Sequence, residues 1–169
     1  MPVQKHPSTS GELFPSERTR PAQPEKSAVT SAHIDGGSRG NPGPAGYGVL
    51  LEDHQGQTIA RLSCYLGRQT NNFAEYSGLV AALDYALEHG LSSLHVYSDS
   101  ELLVFQIRGR YKVRNPGLRP LYERALALIR DLQWFRIEHV RREGNHEADR
   151  LANQAMDAGM RNRDGGTGL

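Results

Sequence analysis

The chain has 169 residues, 37% of them hydrophobic, and its 20 Lys and Arg residues against 19 Asp and Glu residues give a formal net charge of +1. This length suits one domain with a buried core and excludes folds of two large lobes, such as sugar kinases and actin-like ATPases. Because the charges nearly cancel, any binding of nucleic acid must come from a local patch rather than from the field of the whole molecule.

The composition also indicates where the protein acts. No apolar run approaches the roughly 20 residues that span a bilayer, and we expect no signal peptide, because the N-terminal residues lack an apolar core. The single cysteine, Cys64, cannot form an internal disulfide, which fits a reducing compartment. We therefore expect a cytoplasmic protein that does not bind membranes, and we expect a monomer.

The character of the chain changes at both ends. Residues 1–28 are rich in Pro, Ser and charged side chains and have few apolar ones, so they cannot offset the entropy lost on ordering. We predict a disordered tail over residues 1–28, a single domain over residues 29–158, and a flexible, Gly-rich tail over residues 159–169.

The first part of the domain has the pattern of three strands. Residues 29–34 form a strand-like run that ends at Asp35, where a Gly-rich loop begins. A second alternating run reaches Leu51, and a third covers residues 58–66 after a turn at residues 53–56. Short turns join antiparallel strands, so these runs predict an antiparallel meander.

The second part alternates helices and strands. From residue 72 to residue 89 apolar residues recur at helical spacing. The later predicted elements are a strand at 94–98, helices at 100–108 and 118–132, a strand at 134–140 and a helix from residue 146. Helices between strands imply parallel crossovers. The sequence therefore predicts an α/β fold with a five-stranded mixed sheet, three antiparallel strands then two parallel ones, flanked by helices.

Four acidic residues occur where strands end or helices begin, and each has an ordinary structural explanation. Asp35 can shape a turn, Asp99 can cap a helix, and Asp149 can favour the positive end of a helix dipole. Glu75 fits a capping box in which Asn72 is the N-cap.

Taken together, the four acids favour a single site. In α/β units the carboxyl ends of parallel strands and the adjacent helix starts converge on the edge where functional sites form. Glu75 shares a helical face with Leu79 and Ala82, so its carboxylate points towards the sheet. A buried carboxylate without a partner costs several kcal/mol, which a bound cation offsets. The acids therefore predict a metal-binding catalytic centre.

Four segments carry a resemblance to a known family. They are IDGGSRGNPGPAGYGVLL, TNNFAEYSGLVAAL, VYSDSELLVFQI and NHEADRLANQA, in this order within residues 30–158. They resemble type 1 ribonuclease H, the nucleases that cleave RNA/DNA hybrids, and in particular the compact archaeal and bacterial members without a long basic protrusion. The resemblance implies the ribonuclease H-like fold, and it matches Asp35, Glu75, Asp99 and Asp149 to the family's catalytic, metal-binding carboxylates.

The resemblance also implies a reaction. The family uses two Mg²⁺ or Mn²⁺ ions to hydrolyse the RNA strand of a hybrid endonucleolytically, which leaves 5′-phosphate and 3′-hydroxyl ends. The carboxylate matching Asp35 bridges both ions, those matching Glu75 and Asp99 support the ion near the leaving group, and that matching Asp149 supports the ion near the attacking water. The residues matched to substrate contacts are Gly36, Gly37, Asn41 and Asn71 for the RNA strand and Arg68, Thr70 and Asn115 for the phosphate pocket of the DNA strand.

Many family members place a His in a long loop before the last carboxylate, and this chain departs from that pattern. Only residues 141–144 separate Val140 from Asn145, and none of them is a His. His146 is a candidate substitute. We interpret His139 as a strand-end residue.

The stretch between residues 108 and 119 is the predicted local basic patch. It holds five Arg and Lys residues and Tyr111, with no acid. Basic residues interleaved with an aromatic ring suit contacts to a phosphate backbone and stacking on bases.

Two other functions stay open from the sequence. Junction resolvases and transposases share the fold and the acidic centre but cut DNA, and a hybrid-binding module would bind without cutting. The Gly-rich loop from residue 40 to residue 48 and the segment from Thr70 to Asn72 favour the hybrid-cleaving enzyme. The presence of all four acids favours catalysis.

Overall fold

The computed structural model describes residues 23–164. Most of the predicted N-terminal tail, and residues 165–169 of the predicted C-terminal tail, therefore lie outside the described residues. The described chain enters the domain through a short 3-10 turn at Lys26–Ala28. Within residues 23–164, none of the helices combines the length and the apolar composition needed to cross a membrane.

Over residues 23–164 the domain consists of one sheet and four α-helices. The strands are β1 (Thr30–Ser38), β2 (Gly43–Glu52), β3 (Thr58–Gln69), β4 (Ser93–Ser98) and β5 (Trp134–His139), and the helices are α1 (Asn71–Glu88), α2 (Glu101–Ile107), α3 (Arg119–Asp131) and α4 (His146–Asp164). The last helix continues beyond residue 158, where we predicted the domain to end.

The sheet confirms the predicted topology. Its strand order is β3-β2-β1-β4-β5. β1 pairs antiparallel with β2, and β2 antiparallel with β3, whereas β4 lies parallel to both β1 and β5. β1 is therefore the central strand, and its carboxyl end meets that of β4.

Helix α1 covers one face of the sheet and forms the main core with it. Leu79, Ala82 and Leu83 are fully buried on α1 and belong to the same apolar cluster as Ile34 of β1 and Val96 of β4. Removing a buried side chain such as Leu79 typically costs about 2–5 kcal/mol. This packing fixes α1 against the central strand.

Helix α4 covers part of the opposite face, where it contacts β2, β3 and β1. Ala148, Leu151, Ala152 and Ala155 are buried on its inner side. Three of these four residues are alanines, whose small side chains let α4 lie close to the sheet. The two helices that carry Glu75 and Asp149 thus approach β1 from opposite faces.

Candidate active site

A cleft of about 710 Å³ opens at the carboxyl ends of β1 and β4, and all four predicted acids line it. Asp35 comes from β1, Glu75 from the first turns of α1, Asp99 from the residue after β4, and Asp149 from the first turn of α4. The structure therefore brings together side chains that are separated by up to 114 residues in the sequence, counted from 35 to 149.

Asp35 lies inside β1, so the prediction that the strand ends at this residue is wrong. β1 continues to Ser38, because Gly36 and Gly37 stay paired with Tyr47 and Gly46 of β2. Pairing with β4, in contrast, stops at Ile34. Asp35 is consequently held by strand pairing on one side and open to the cleft on the other.

Two glycines let the helices approach Asp35 closely. A Cβ at Gly36 would lie 2.4 Å from the carbonyl carbon of Ala74 in α1. A Cβ at Gly48, which pairs with Asp35, would lie 2.3 Å from the carbonyl oxygen of Ala148 in α4. Such distances are far inside van der Waals contact, so only glycine permits this spacing between the acids.

The predicted capping box around Glu75 is wrong. Helix α1 begins two residues earlier than expected, because Thr70 is its N-cap and accepts a hydrogen bond from the Phe73 N–H at 3.2 Å. Glu75 is therefore not needed for capping. Its carboxylate instead lies near the side chain of Ser100, which lowers the pKa of Glu75 and itself caps α2.

The carboxyl groups crowd one another. Burial raises the pKa of Asp35 to about 8, and the neighbouring carboxylates of Asp99 and Asp149, both within hydrogen-bonding reach of Asp35, add to this rise. Burial likewise raises the pKa of Glu75 to about 7, where the Ser100 side chain opposes the rise and Asp99 adds to it. A cation in the cleft would relieve both the burial cost and the mutual repulsion.

The donor set fits hard divalent cations in an open site. Within residues 23–164, no three His, Cys, Asp or Glu side chains are arranged to hold one metal ion by themselves. Mg²⁺, however, is commonly held by one or two carboxylates, with water and substrate phosphate completing its coordination. Carboxylate oxygens on several sides of a cleft wide enough for substrate match that mode of binding.

Comparison with known proteins identifies the family. A family model described as reverse transcriptase-like matches residues 33–155. A ribonuclease HI of Halobacterium salinarum is 39% identical over 143 residues, which cover 85% of this chain and 72% of that protein. The chain belongs to the ribonuclease HI family. Members of this family depend on divalent metal ions.

A mycobacterial relative supports the assignment to ribonuclease HI through its sequence and through the structure of one of its domains. Bifunctional protein Rv2228c of Mycobacterium tuberculosis is 50% identical over 126 residues, 73% of this chain and 34% of that protein. The chain thus spans about a third of the length of the mycobacterial relatives it matches. The solved N-terminal RNase H domain of Rv2228c, fused to maltose-binding protein, has a TM-score of 0.77 and 45% identity and covers 80% of this chain and 98% of that chain.

Another solved relative contains nucleic acid. LC11-RNase H1, isolated from compost, was solved in complex with an RNA/DNA hybrid. It has a TM-score of 0.74 and 37% identity, and the alignment covers 78% of this chain and 99% of that chain.

The residues matched to RNA contacts in ribonuclease HI lie at the rim of the cleft or just outside it. Gly36, Gly37 and Asn71 line the cleft, whereas Asn41 lies on the exposed loop beside it. The Asn71 N–H donates to the Asn41 side-chain oxygen at 3.2 Å, and the Ser38 N–H donates to the Asn71 side-chain oxygen at 2.7 Å. These bonds join the loop after β1 to the start of α1.

The residues matched to the DNA-strand pocket lie outside the cleft lining. Thr70 caps α1, and Arg68 is exposed on β3, paired with Pro44. Asn115 accepts a hydrogen bond from the Gly117 N–H at 2.8 Å and so shapes a turn before α3. The basic patch is partly used by the fold, because the Arg108 guanidinium donates to the Ile137 carbonyl oxygen at 2.7 and 3.1 Å. Tyr111 in the same stretch is 51% exposed.

Sequence reasoning missed Asn145, which is 2% exposed. Its side-chain N–H group donates to the Ile34 carbonyl oxygen at 2.8 Å, one residue before Asp35. Its backbone oxygen accepts a hydrogen bond from the Asp149 N–H at 3.1 Å. Asn145 therefore ties the start of α4 to β1. An Asn directly before a helical pattern was the available signal.

Two cationic or titratable residues at the mouth of the cleft were also missed. Arg142 Nε lies 3.8 Å from a carboxylate oxygen of Asp99, with the Arg142 side chain 85% exposed. His139 ends β5, as interpreted from the sequence, and also lines the cleft. The candidate His146 is the exposed first residue of α4 and lies beside Asp149 on the outer surface of that helix rather than in the cleft lining.

Proposed function

We propose that this chain is a divalent-metal-dependent endonuclease that hydrolyses the RNA strand of RNA/DNA hybrids and leaves 5′-phosphate and 3′-hydroxyl ends. The observation that carries the proposal is the convergence of four carboxylates in one cleft, with Asp35 within hydrogen-bonding reach of both Asp99 and Asp149. The complex of LC11-RNase H1 with a hybrid supports the choice of substrate.

Asp35, Glu75, Asp99 and Asp149 would hold two Mg²⁺ or Mn²⁺ ions when substrate is bound. Bound ions of this kind supply Lewis acidity, which activates a water for in-line attack and stabilises charge on the departing 3′ oxygen. The chain's own contribution is to fix the carboxylates. Gly36 and Gly48 set the distances of Glu75 and Asp149 from Asp35, and the Ser100 side chain lies near Glu75.

Selection of the RNA strand requires contacts to the 2′-hydroxyl, the group that distinguishes RNA from DNA. Asn41, Asn71 and the backbone at Gly36 and Gly37 are the residues we assign to it. At Gly37 a Cβ would meet only the Met156 methyl carbon at 3.8 Å and the Asn71 side-chain oxygen at 4.0 Å. The fold does not require glycine there, so close approach of a substrate backbone is the better reason for it.

The DNA strand would be held outside the cleft. We assign its phosphate contacts to one pocket, formed by Arg68, Thr70 and Asn115. Arg68 is exposed at the end of β3 and Thr70 is adjacent to Asn71, so a duplex seated with its RNA strand in the cleft would place the second strand near them. We also propose that the protein acts as a cytoplasmic monomer. The exposed thiol of its single cysteine, Cys64, is consistent with a reducing compartment.

The test is a substrate panel. End-labelled RNA/DNA hybrid, duplex DNA and duplex RNA are incubated with the protein in Mg²⁺, in Mn²⁺ and in chelator, and the product ends are mapped. We expect cleavage of the hybrid's RNA strand with either metal and none in chelator. Cleavage of duplex DNA would instead support a related DNA nuclease, and hybrid binding without cleavage in either metal would support a binding module.

A further inference from the structure

The loop between β1 and β2, residues 39–42, forms one rim of the cleft, and it is fastened to the domain on two sides. On one side it is joined to α1, because the Asn71 N–H donates to Asn41 and the Ser38 N–H donates to Asn71. This side holds the residues that we assign to the RNA strand.

On the other side a single arginine joins the loop to α4. The Arg39 guanidinium donates to the carboxylate of Asp157 and to the Asn153 side-chain oxygen at 3.4 Å, and it approaches the Met160 sulfur at 3.4 Å. All three partners lie on α4, the helix that carries Asp149. The loop is therefore fastened both to the helix that carries Glu75 and to the helix that carries Asp149.

The composition of the loop explains why such a tie matters. Gly40 adopts a φ of 89°, which favours glycine, and a Cβ at Gly43 would collide with the Arg39 carbonyl oxygen. A loop built around glycines loses more conformational entropy on ordering than one built from other residues. A loop that is ordered before the substrate arrives binds it more tightly, because binding then causes no further loss of conformational entropy in the loop.

We propose that the Arg39–Asp157 pair is a positioning tie that holds the β1–β2 loop in the conformation that receives the RNA strand. This inference rests on the proposed function. Arg39 acts through Asp157 and the loop, and it does not act as a free cation for a phosphate group. The guanidinium is already paired with Asp157, and this pairing restrains both side chains at the rim. The side chains of Arg39 and Asp157 are 37% and 50% exposed, respectively.

The alternative role for Arg39, direct binding of a phosphate, makes the opposite prediction for its partner. Asp157 is an acid close to a polyanionic substrate, so removing it should strengthen binding if Arg39 contacts phosphate itself. Removing it should weaken binding if Asp157 holds Arg39 and the loop in place. The sign of the Asp157 effect therefore separates the two roles.

The experiment measures hybrid affinity in chelator, where the hybrid stays intact, and KM and kcat in Mg²⁺. We expect Arg39→Ala and Asp157→Ala each to weaken affinity and raise KM about fivefold, equivalent to about 1 kcal/mol. We expect kcat to change by less than about twofold, because the four carboxylates stay in place. The double variant should resemble either single variant, since both changes remove the same tie.

The matched control is the exposed ion pair between Arg124 of α3 and Asp84 of α1, whose oxygens lie 3.1 Å from the guanidinium nitrogen. Neither residue lines the cleft, so Arg124→Ala and Asp84→Ala should leave affinity, KM and kcat unchanged.

Three results would overturn the tie: tighter or unchanged binding by Asp157→Ala, additive losses in the double variant, or equal losses in the control pair. Failure of the wild-type protein to cleave the hybrid would overturn the proposed function instead. In that case the affinities measured in chelator still decide whether the tie exists.

Discussion

Two regions of the molecule meet at Asp35. In the packed layer, the backbones of α1 and α4 lie directly against the sheet, whereas in the cleft, buried carboxylates lie close to one another. In the packed layer, Leu79, Leu83 and Val96 are fully buried, and helix α4 rests directly on Gly48. In the cleft, burial and neighbouring acids raise the pKa of Asp35 to about 8. The packed layer contributes the stability that lets an unfavourable group of acids persist, as functional sites commonly require.

The largest expected effect is the loss of activity on removing the central charge of the cleft. Asp35→Asn preserves the shape of the side chain but removes a carboxylate that we assign to metal binding and that lies within reach of both Asp99 and Asp149. We expect hybrid cleavage in saturating Mg²⁺ to fall by about 10³-fold or more, a loss of roughly 4 kcal/mol in transition-state stabilisation. Hybrid affinity in chelator should stay within a few-fold of wild type. Near-normal cleavage by this variant would remove Asp35 from the site.

A substitution in the packed layer should mainly lower the stability of the fold, whereas Asp35→Asn mainly lowers activity. Gly48→Ala places a methyl group 2.3 Å from the Ala148 carbonyl oxygen, so we expect about 3 kcal/mol of destabilisation through overpacking. The matched control is Gly37→Ala, whose methyl group has room. It should change the free energy of unfolding by less than about 0.5 kcal/mol, and it should reduce hybrid cleavage. Chemical denaturation and cleavage rates measure the two effects. Equal stability losses in both variants would contradict the division between the two regions.

Asn145 lies where the two regions meet. Asn145→Ala leaves the buried Ile34 carbonyl without its donor, which should cost about 1–3 kcal/mol. Asn145 immediately precedes α4 and ties it to β1, and the first turn of α4 carries Asp149. The variant should therefore hold Asp149 less firmly and need more Mg²⁺ for half-maximal cleavage. A magnesium titration of cleavage, run well below the melting temperature, measures this. A stability loss with an unchanged magnesium requirement would assign Asn145 to the packed layer alone.

Features set by sequence periodicity could be predicted, and features set by contacts between distant elements could not. Alternating and helical patterns predicted the five strands and the long helices, and the positions of the acids at strand ends and helix starts predicted their convergence. The extension of β1 past Asp35 was missed because glycines in a strand look like a loop until their partners in β2 are known. Thr70 and Asn72 are both acceptable N-caps, and only the fold selects Thr70.

Other parts of the site had no local signal at all. The pairing of Arg39 with Asp157 joins residues 118 positions apart, and nothing in either segment marks the other as its partner. The contact of Arg142 with Asp99 is of the same kind. The substrate contacts assigned to Asn41, Arg68, Thr70 and Asn115 stay predictions.

The stability of the metal-free protein tests the central claim most directly. A carboxyl group whose pKa is higher in the folded state than in the unfolded state is harder to ionise in the folded protein. As the pH rises from about 4 through about 8, such a group therefore lowers the free energy of unfolding. In chelator at pH 8, Asp35→Asn should therefore be more stable than wild type, by up to several kcal/mol. The difference should shrink at pH 5.

The measurement is the free energy of unfolding of wild type and Asp35→Asn at pH 8, first in chelator and then in Mn²⁺. We predict that the variant is the more stable protein in chelator, and that Mn²⁺ stabilises wild type but not the variant. A variant that is less stable than wild type in chelator, with an equal response of both proteins to Mn²⁺, would contradict a cation centre built around Asp35.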